Sequence, residues 1–263
     1  MRSMLKQGKA AARAVLARLP VLDRVVLTST GYRVLTRAQA EKLSARPSGW
    51  LSGRSARSQE KVYDWLLSRM HEGHPRADFL AAADAIRQTR LTNPALLEIG
   101  CGSGYYSEIL PALLHAPIDY TGVDFSPAMV ERAKARYPRQ RFQIADATAL
   151  PFPDASFDVA FNGVSLMHIM HYRTAIREAA RVAGRFMILH GVPVMDDHDT
   201  IYLRKYAYGR RVVEIIFSEP ELLSLIADAG FAVEATLTSA PYDVGRITGV
   251  PSRAMTYLCR RAR

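Results

Sequence analysis

Apolar residues recur at helical spacing over residues 59–70, where Val62, Leu66, Leu67 and Met70 share one face, and a helix is predicted there. A second helix is predicted over 77–88, ending before the Asn93-Pro94 break. From residue 96 the pattern changes. Short apolar runs at 96–99, 120–124, 142–145, 157–161 and 186–190 read as buried strands, and helical segments at 107–114, 127–137 and 172–182 are interleaved with them. Ser126 and Pro127 supply the cap and first residue of one of these helices, whereas Pro111 weakens the second turn of another. A helix at 219–229, stopped by Gly230, and strands at 231–237 and 254–259 close the chain.

Strands alternating with helices of about a dozen residues imply right-handed crossovers and a parallel sheet covered on both faces, a doubly wound α/β domain. The last two strands have no helix between them, so they should pair antiparallel. A length of 263 residues allows one such domain with an extension, and an apolar fraction of 49% against 23% charged excludes a disordered chain. No apolar run is long enough for a membrane-spanning helix. Two cysteines, Cys101 and Cys259, make neither a disulfide framework nor a zinc ladder, and a reduced, cytoplasmic setting is expected.

Charge divides the chain unevenly. Residues 1–61 hold 13 Lys/Arg against 3 Asp/Glu, which accounts for the whole net charge of +10. The expected organisation is a basic N-terminal extension over 1–61 and the α/β domain over 62–263. Arg2, Lys6, Lys9, Arg13 and Arg18 precede the first acid, Asp23, and weak contact with an anionic surface through residues 1–45 is one use for them, a solvated extension the other.

Candidate chemistry begins where the first predicted strand of the alternating part ends. Leu97-Glu98-Ile99-Gly100-Cys101-Gly102-Ser103-Gly104 follows a strand and precedes a helix. Gly100 and Gly102 permit a tight turn and close approach of a ligand, with helix-start N–H groups facing it. The dinucleotide fingerprint G-x-G-x-x-G would need glycine where Tyr105 stands or, counted from Gly102, where Ser107 stands. The pattern is E-x-G-x-G-x-G instead, and it resembles motif I of the class I S-adenosylmethionine-dependent methyltransferases. Thr121-Gly122-Val123-Asp124-Phe125-Ser126 is similar to the family's next motif, and Phe142-Gln143-Ile144-Ala145-Asp146-Ala147 to the third. Residues 150–159 resemble the stretch leading into the fourth strand in the small-molecule branch, with Asn162-Gly163-Val164 at that strand's end. The likeness covers about residues 94–190, with a weaker echo over 217–233.

The resemblance implies a Rossmann-like, seven-stranded, mostly parallel sheet with an antiparallel last strand and an N-terminal helical extension. It implies S-adenosylmethionine as cofactor, in a site made of Glu98, Gly100, Cys101, Gly102, Asp124, Phe125, Asp146, Ala147 and Asn162. Asp124 would accept hydrogen bonds from the ribose hydroxyls, and Asp146 with the following N–H would meet the adenine. Glu98 would either orient the glycine loop or hold the methionyl amine. The N-terminal helices would cover the cofactor with Trp50, Tyr63 and Trp65, and Arg54 would pair with the methionyl carboxylate.

Methyl transfer from a sulfonium is an in-line displacement that depends on positioning in a dry pocket, and a hydroxyl acceptor needs a base as well. His168 and His190 stand at strand ends, where ligands of open α/β sheets bind, and are the candidate bases. Residues 191–216 exceed an ordinary connection and would build an acceptor lid containing Tyr202, Arg204, Lys205, Tyr206, Tyr208, Arg210 and Arg211. Asp196-Asp197-His198-Asp199 reads as a solvated loop, and no metal is expected. The expected function is methyl transfer to a small-molecule or glycan acceptor, foremost at oxygen. The alternatives are an RNA or protein methyltransferase using the basic arm, and a non-catalytic cofactor-binding scaffold. Asn162-Gly163-Val164-Ser165 is not an Asn-Pro-Pro-Tyr-type signature, so amino-nitrogen methylation of bases is disfavoured, and nucleic acid is not the expected partner.

Overall fold

A computed structural model describes residues 30–45, 49–51, 53–207 and 210–262 of the chain. Strand β1 (Thr30–Leu35) and helix α1 (Arg37–Ser44) lead through a 3₁₀ turn (Gly49–Leu51) to α2 (Gly53–His71) and α3 (Ala77–Gln88). The alternating part follows as β2 (Ala95–Ile99), α4 (Tyr106–Leu114), β3 (Asp119–Asp124), α5 (Pro127–Arg136), β4 (Arg141–Ile144), β5 (Phe157–Gly163), α6 (Tyr172–Val182) and β6 (Ala183–Met195). A hairpin of β7 (Ile201–Ala207) and β8 (Arg210–Ser218) precedes α7 (Glu219–Asp228), β9 (Phe231–Ala240), the short α8 (Gly245–Thr248) and β10 (Arg253–Arg261).

The parallel strands lie in the order β4-β3-β2-β5-β6, and β10 runs antiparallel between β6 and β9. These are the seven strands expected from the sequence. The chain moves outward from β2 to β4 and then returns to β5, so β2 and β5 flank a topological switch point, the place where such sheets open a crevice. Helices pack both faces. On one, α6 presents Tyr172, Ala175, Ile176 and Ala179 at spacings of three and four, all buried. On the other, α3 and α4 bury Phe79, Ile86, Ile109 and Leu110. Complete burial of a side chain such as Ile109 or Leu110 is worth about 1.5–3 kcal/mol.

Three strands were not expected. The described residues form a 10-stranded sheet, because β1, β7 and β8 extend it beyond β6. The N-terminal extension is therefore not wholly helical: β1 pairs antiparallel with β7, Val34 opposite Leu203 and Leu35 opposite Tyr202. The expected lid at 191–216 is regular structure, the end of β6 and a hairpin in which Leu203 faces Glu214 and Lys205 faces Val212. Met195, Leu203, Ile216 and Val244 give this annex a small core of its own. Helix α2 runs across position 61, so the charge boundary there is not an element boundary. Most of the basic run invoked for anionic-surface contact falls in 1–29, outside the described residues.

Strand β6 serves both parts of the sheet through a bulge. Leu189 pairs with Tyr257 and Val192 with Met255, so His190 and Gly191 together oppose the single residue Thr256. Gly191 takes the left-handed conformation (φ +67°) that such a bulge requires. The bend carries Val194 and Met195 onto β8.

Among the described residues no helix is long and apolar enough to cross a membrane. Cys101 and Cys259 are both buried and unpaired.

Candidate active site

At the end of β2 the chain turns through Gly100, Gly102 and Gly104, with φ of +76°, +54° and +82°. The N–H groups of Gly100 and Cys101 both donate to the Val123 carbonyl of β3, at 2.8 and 2.9 Å. At the end of β3, buried Asp124 accepts from the Gly102 N–H (2.9 Å) through one oxygen and from the Ser126 N–H (2.8 Å) through the other. Burial outweighs these two donors and raises its pKa. Each carboxylate oxygen keeps a further acceptor position. Phe125 beside it is 45% exposed. Asp146 is exposed and binds the Thr148 N–H and hydroxyl, both at 2.8 Å, shaping the turn that presents Ala147.

Glu98 is fully enclosed below this loop, where the Tyr120 hydroxyl donates to it. Burial, reinforced by the charge of Asp124, pushes its pKa up to about 8 despite that hydrogen bond. The linkage has a definite sign. From about pH 4.5 to 8 the folded state holds a proton that the unfolded chain releases, so stability falls as pH rises through this window, by on the order of 4 kcal/mol. Denaturant titration should find the wild type less stable at pH 8 than at pH 6.5, above the range in which the buried histidines contribute, and Glu98→Gln should remove most of that slope. An unchanged slope would rule out Glu98 as its source.

The end of β5 faces the glycine turn. Asn162 Oδ1 accepts from the Leu166 N–H (2.9 Å) and the Ser165 hydroxyl (3.1 Å), and Ser165 also binds the Ile99 carbonyl (2.8 Å). Val164 adopts φ +55°, a strained state for a β-branched residue, held by its N–H to the His190 carbonyl at 3.1 Å. The 3₁₀ turn Leu166–His168 then delivers His168, whose Nδ1 lies 2.6 Å from the Val213 carbonyl of β8. A carbonyl only accepts, so Nδ1 carries the proton and Nε2 keeps its lone pair. Among the described residues Nε2 has no hydrogen-bond partner. Burial, together with the nearby Lys205 ammonium, lowers the His168 pKa to about 4. The Trp50 ring lies 5.0 Å from the imidazole, centroid to centroid.

From the N-terminal side, α2 places Gln59 over Gly102 and Ser103. The Trp50 carbonyl accepts from the Ser126 hydroxyl at 2.9 Å, and Tyr63 stacks on Tyr105 at 4.2 Å. Two ion pairs, Glu60 with Arg132 and Asp64 with Arg136 (2.6 Å), tie α2 to α5. These elements enclose a cavity of about 2080 Å³. Most single-ligand sites are ~300–1,000 Å³, so there is room for a cofactor and a bulky second molecule. Glu98, Gly100, Cys101, Gly102, Asp124, Phe125, Asp146, Ala147 and His168 all line it.

Two expected site residues are placed differently, and the side chain of a third is not described. His190 is not on the wall: it is fully buried, with Nε2 2.9 Å from the Tyr106 hydroxyl and Nδ1 2.7 Å from the Thr256 hydroxyl. The bulge turns it into the sheet, burial lowers its pKa to about 4, and with both nitrogens engaged it cannot serve an acceptor as base. Asn162 is likewise off the wall, its amide oxygen spent on the 165–166 turn. Arg54 belongs to α2, but its side chain is outside the described residues. Asp196, in the acidic loop, pairs with Arg253 at 2.7 Å.

Three comparisons bear on the identity of this site. A family model described as a methyltransferase domain matches residues 97–186, which run from the glycine turn to β6. An O-methyltransferase of Penicillium expansum is 33% identical over 166 residues, covering 59% of this chain and 58% of that protein. The 27-O-demethylrifamycin SV methyltransferase of Amycolatopsis mediterranei is 43% identical over 164 residues, covering 56% of this chain and 57% of that protein. Residues 97–186 carry a methyltransferase domain, and the chain is similar to S-adenosylmethionine-dependent methyltransferases. The solved 1,6-didemethyltoxoflavin-N1-methyltransferase of Burkholderia thailandensis shares the fold, with a TM-score of 0.52 at 20% identity over 77% of this chain and 88% of that one. The matched region spans little more than half the length of the two curated relatives.

The donor set of the site fits S-adenosylmethionine, the cofactor of these relatives. Asp124 retains acceptor capacity for a diol, the exposed Phe125 ring offers a flat apolar surface, and Glu98 is an acid on the wall for an ammonium group. Gln59, Tyr106, Lys205, Glu214 and Tyr242 also line the cavity. Sequence reasoning placed Lys205 in the expected acceptor lid and gave the other four no role. For Glu214 a signal existed: it is the one charge in the apolar, β-branched run Val212-Val213-Glu214-Ile215-Ile216-Phe217.

Proposed function

We propose that the protein methylates a hydroxyl group of a bulky small molecule, with His168 as the general base. The observation that carries this reading is the fixed tautomer of His168: Nδ1 is tied to the Val213 carbonyl, which leaves the basic Nε2 as the nitrogen available on the cavity wall. Asp124 would hold the ribose diol, Phe125, Asp146 and Ala147 the adenine, and Glu98 the methionyl ammonium. Bound S-adenosylmethionine supplies the methyl carbon, and its sulfur keeps the electron pair of the broken carbon–sulfur bond. His168 accepts the hydroxyl proton at Nε2 as the acceptor oxygen bonds to carbon, and returns it to water after product leaves. The enclosing N-terminal elements exclude water, and the remaining work is alignment. The relatives, an O-methyltransferase and a 27-O-demethylrifamycin SV methyltransferase, support oxygen as the acceptor atom.

The test is S-adenosylhomocysteine formation with matched acceptors of one ring skeleton carrying a hydroxyl, an amine or a thiol. The hydroxyl compound should be turned over at least about tenfold faster than the amine. Preference for the amine, or turnover of none, would reject hydroxyl methylation.

A further inference from the structure

The annex built by β7 and β8 contributes polar groups that the methyl-transfer reading leaves unused. Lys205 and Glu214 are diagonal neighbours on one face of the hairpin and form an ion pair between Nζ and Oε1. Both are buried, with relative exposures of 9% and 2%, and both line the cavity. The second carboxylate oxygen, Glu214 Oε2, is buried and has no hydrogen-bond partner among the described residues. The Tyr242 hydroxyl, on the same wall, likewise makes no hydrogen bond of good geometry, and it faces the Glu214 carboxylate within reach of a weak one. A buried ion pair kept only for architecture would have its remaining lone pairs satisfied by the protein, because a half-satisfied one costs stability. The strand position adds meaning: Glu214 follows Val213, whose carbonyl fixes the His168 tautomer.

We propose that Lys205, Glu214 and Tyr242 form the subsite that orients the acceptor, and that it selects molecules carrying a hydrogen-bond donor and a hydrogen-bond acceptor oxygen on adjacent carbons. Glu214 Oε2, with the Tyr242 hydroxyl as its one nearby protein donor, keeps an acceptor position for a ligand donor, and the Lys205 ammonium has N–H groups to give an acceptor after its bond to Oε1. The ion pair already holds these two open positions side by side, so oxygens on neighbouring carbons meet both and widely separated ones meet only one. The pair is neutral overall, which suits an uncharged ligand. Around it, Met167, Val212, Val213, Val244, Ile247 and Trp50 supply apolar walls for a ring system. The subsite deepens the proposed hydroxyl methylation by naming its substrate class, and its binding test does not depend on turnover.

Two isomeric probes with the same atoms, 2,3-dihydroxynaphthalene and 2,7-dihydroxynaphthalene, separate adjacent from distant hydroxyls. Titrated calorimetrically into the full chain saturated with S-adenosylhomocysteine, the 2,3 isomer should bind about tenfold more tightly. The K205M/E214L double variant replaces both charges with apolar groups of similar size, and should keep S-adenosylhomocysteine affinity while losing the isomer preference. Tyr242→Phe removes one hydroxyl, should cut the preference about threefold, and decides the matter if the double variant does not fold. Equal binding of the isomers, binding of neither, or a preference unchanged in the variants overturns the subsite. Selective binding of the 2,3 isomer without methyl transfer from S-adenosylmethionine upholds the subsite and rejects the hydroxyl-methylation reading instead.

Discussion

Replacing Gly100 by alanine should abolish measurable S-adenosylhomocysteine binding and lower the melting temperature by many degrees. Two effects add at this position. The residue has φ +76°, which costs an L-residue about 1–2 kcal/mol. A Cβ built there would also overlap Cβ and Oγ of Ser165, and overpacking of that kind costs about 1–3 kcal/mol more. The overlap cannot relax cheaply, because Ser165 is fixed by its bonds to the Ile99 carbonyl and Asn162. Gly73 provides the control: its φ is +85° but nothing lies within 4 Å of a Cβ, so Gly73→Ala should show the backbone penalty alone. Ser165→Gly, which removes the obstructing atoms, should restore part of what Gly100→Ala loses. A Gly100→Ala protein with normal affinity and melting temperature would mean that the glycine turn and the 162–166 turn are not in contact.

His168→Asn should lower kcat by about 10²–10³-fold with S-adenosylhomocysteine affinity within about twofold. The asparagine amide nitrogen takes the place of Nδ1 and can still donate to the Val213 carbonyl, so the shape of the turn is kept while the basic nitrogen is lost. The loss should shrink towards unity for acidic phenols already ionised at the assay pH, since their proton has gone before they bind. A purely structural role would slow every acceptor equally, so this dependence separates the two. The pH profile follows from the His168 pKa of about 4. The base is competent when unprotonated, so the rate should be level from neutral pH down to about 5 and fall below that. Stability is also lost in acid, because the unfolded chain gains protons on His168 and His190 before the fold accepts them, so the acid limb is read from initial rates after a pH jump. A rate that fell already between pH 7 and 6 would mean that another group supplies the base.

Sequence reasoning works best where a backbone conformation or a strand end dictates a residue type. Gly100, Gly102 and Gly104 all take positive φ, and Asp124 ends β3 with its carboxylate on the turn. The order of elements from Ala95 to Val182 follows from apolar periodicity, since a parallel strand buried on both faces and an amphipathic helix leave different spacings. The acceptor side is harder to read because it depends on pairings between distant segments. The run Val212–Phe217 has the composition of a strand, yet nothing local says that it pairs with β7 and meets the tip of β6. His168 and His190 look equivalent as histidines after strands. Only the bulge opposite Thr256, set by the register of β6 against β10, turns one inward while the other stays on the cavity wall. Lys205 and Glu214 become partners only once the hairpin register is known.

The pairing of β1 with the hairpin also sets an order of assembly. The Arg204 guanidinium reaches the Gly31 carbonyl across 173 residues of intervening chain, and closing so long a loop gains little until the crossovers between have formed. The pairing of β1 with β7 is therefore expected to form late during refolding, and pulsed hydrogen exchange that protects β1 amides as early as those of β2 and β5 would contradict this order.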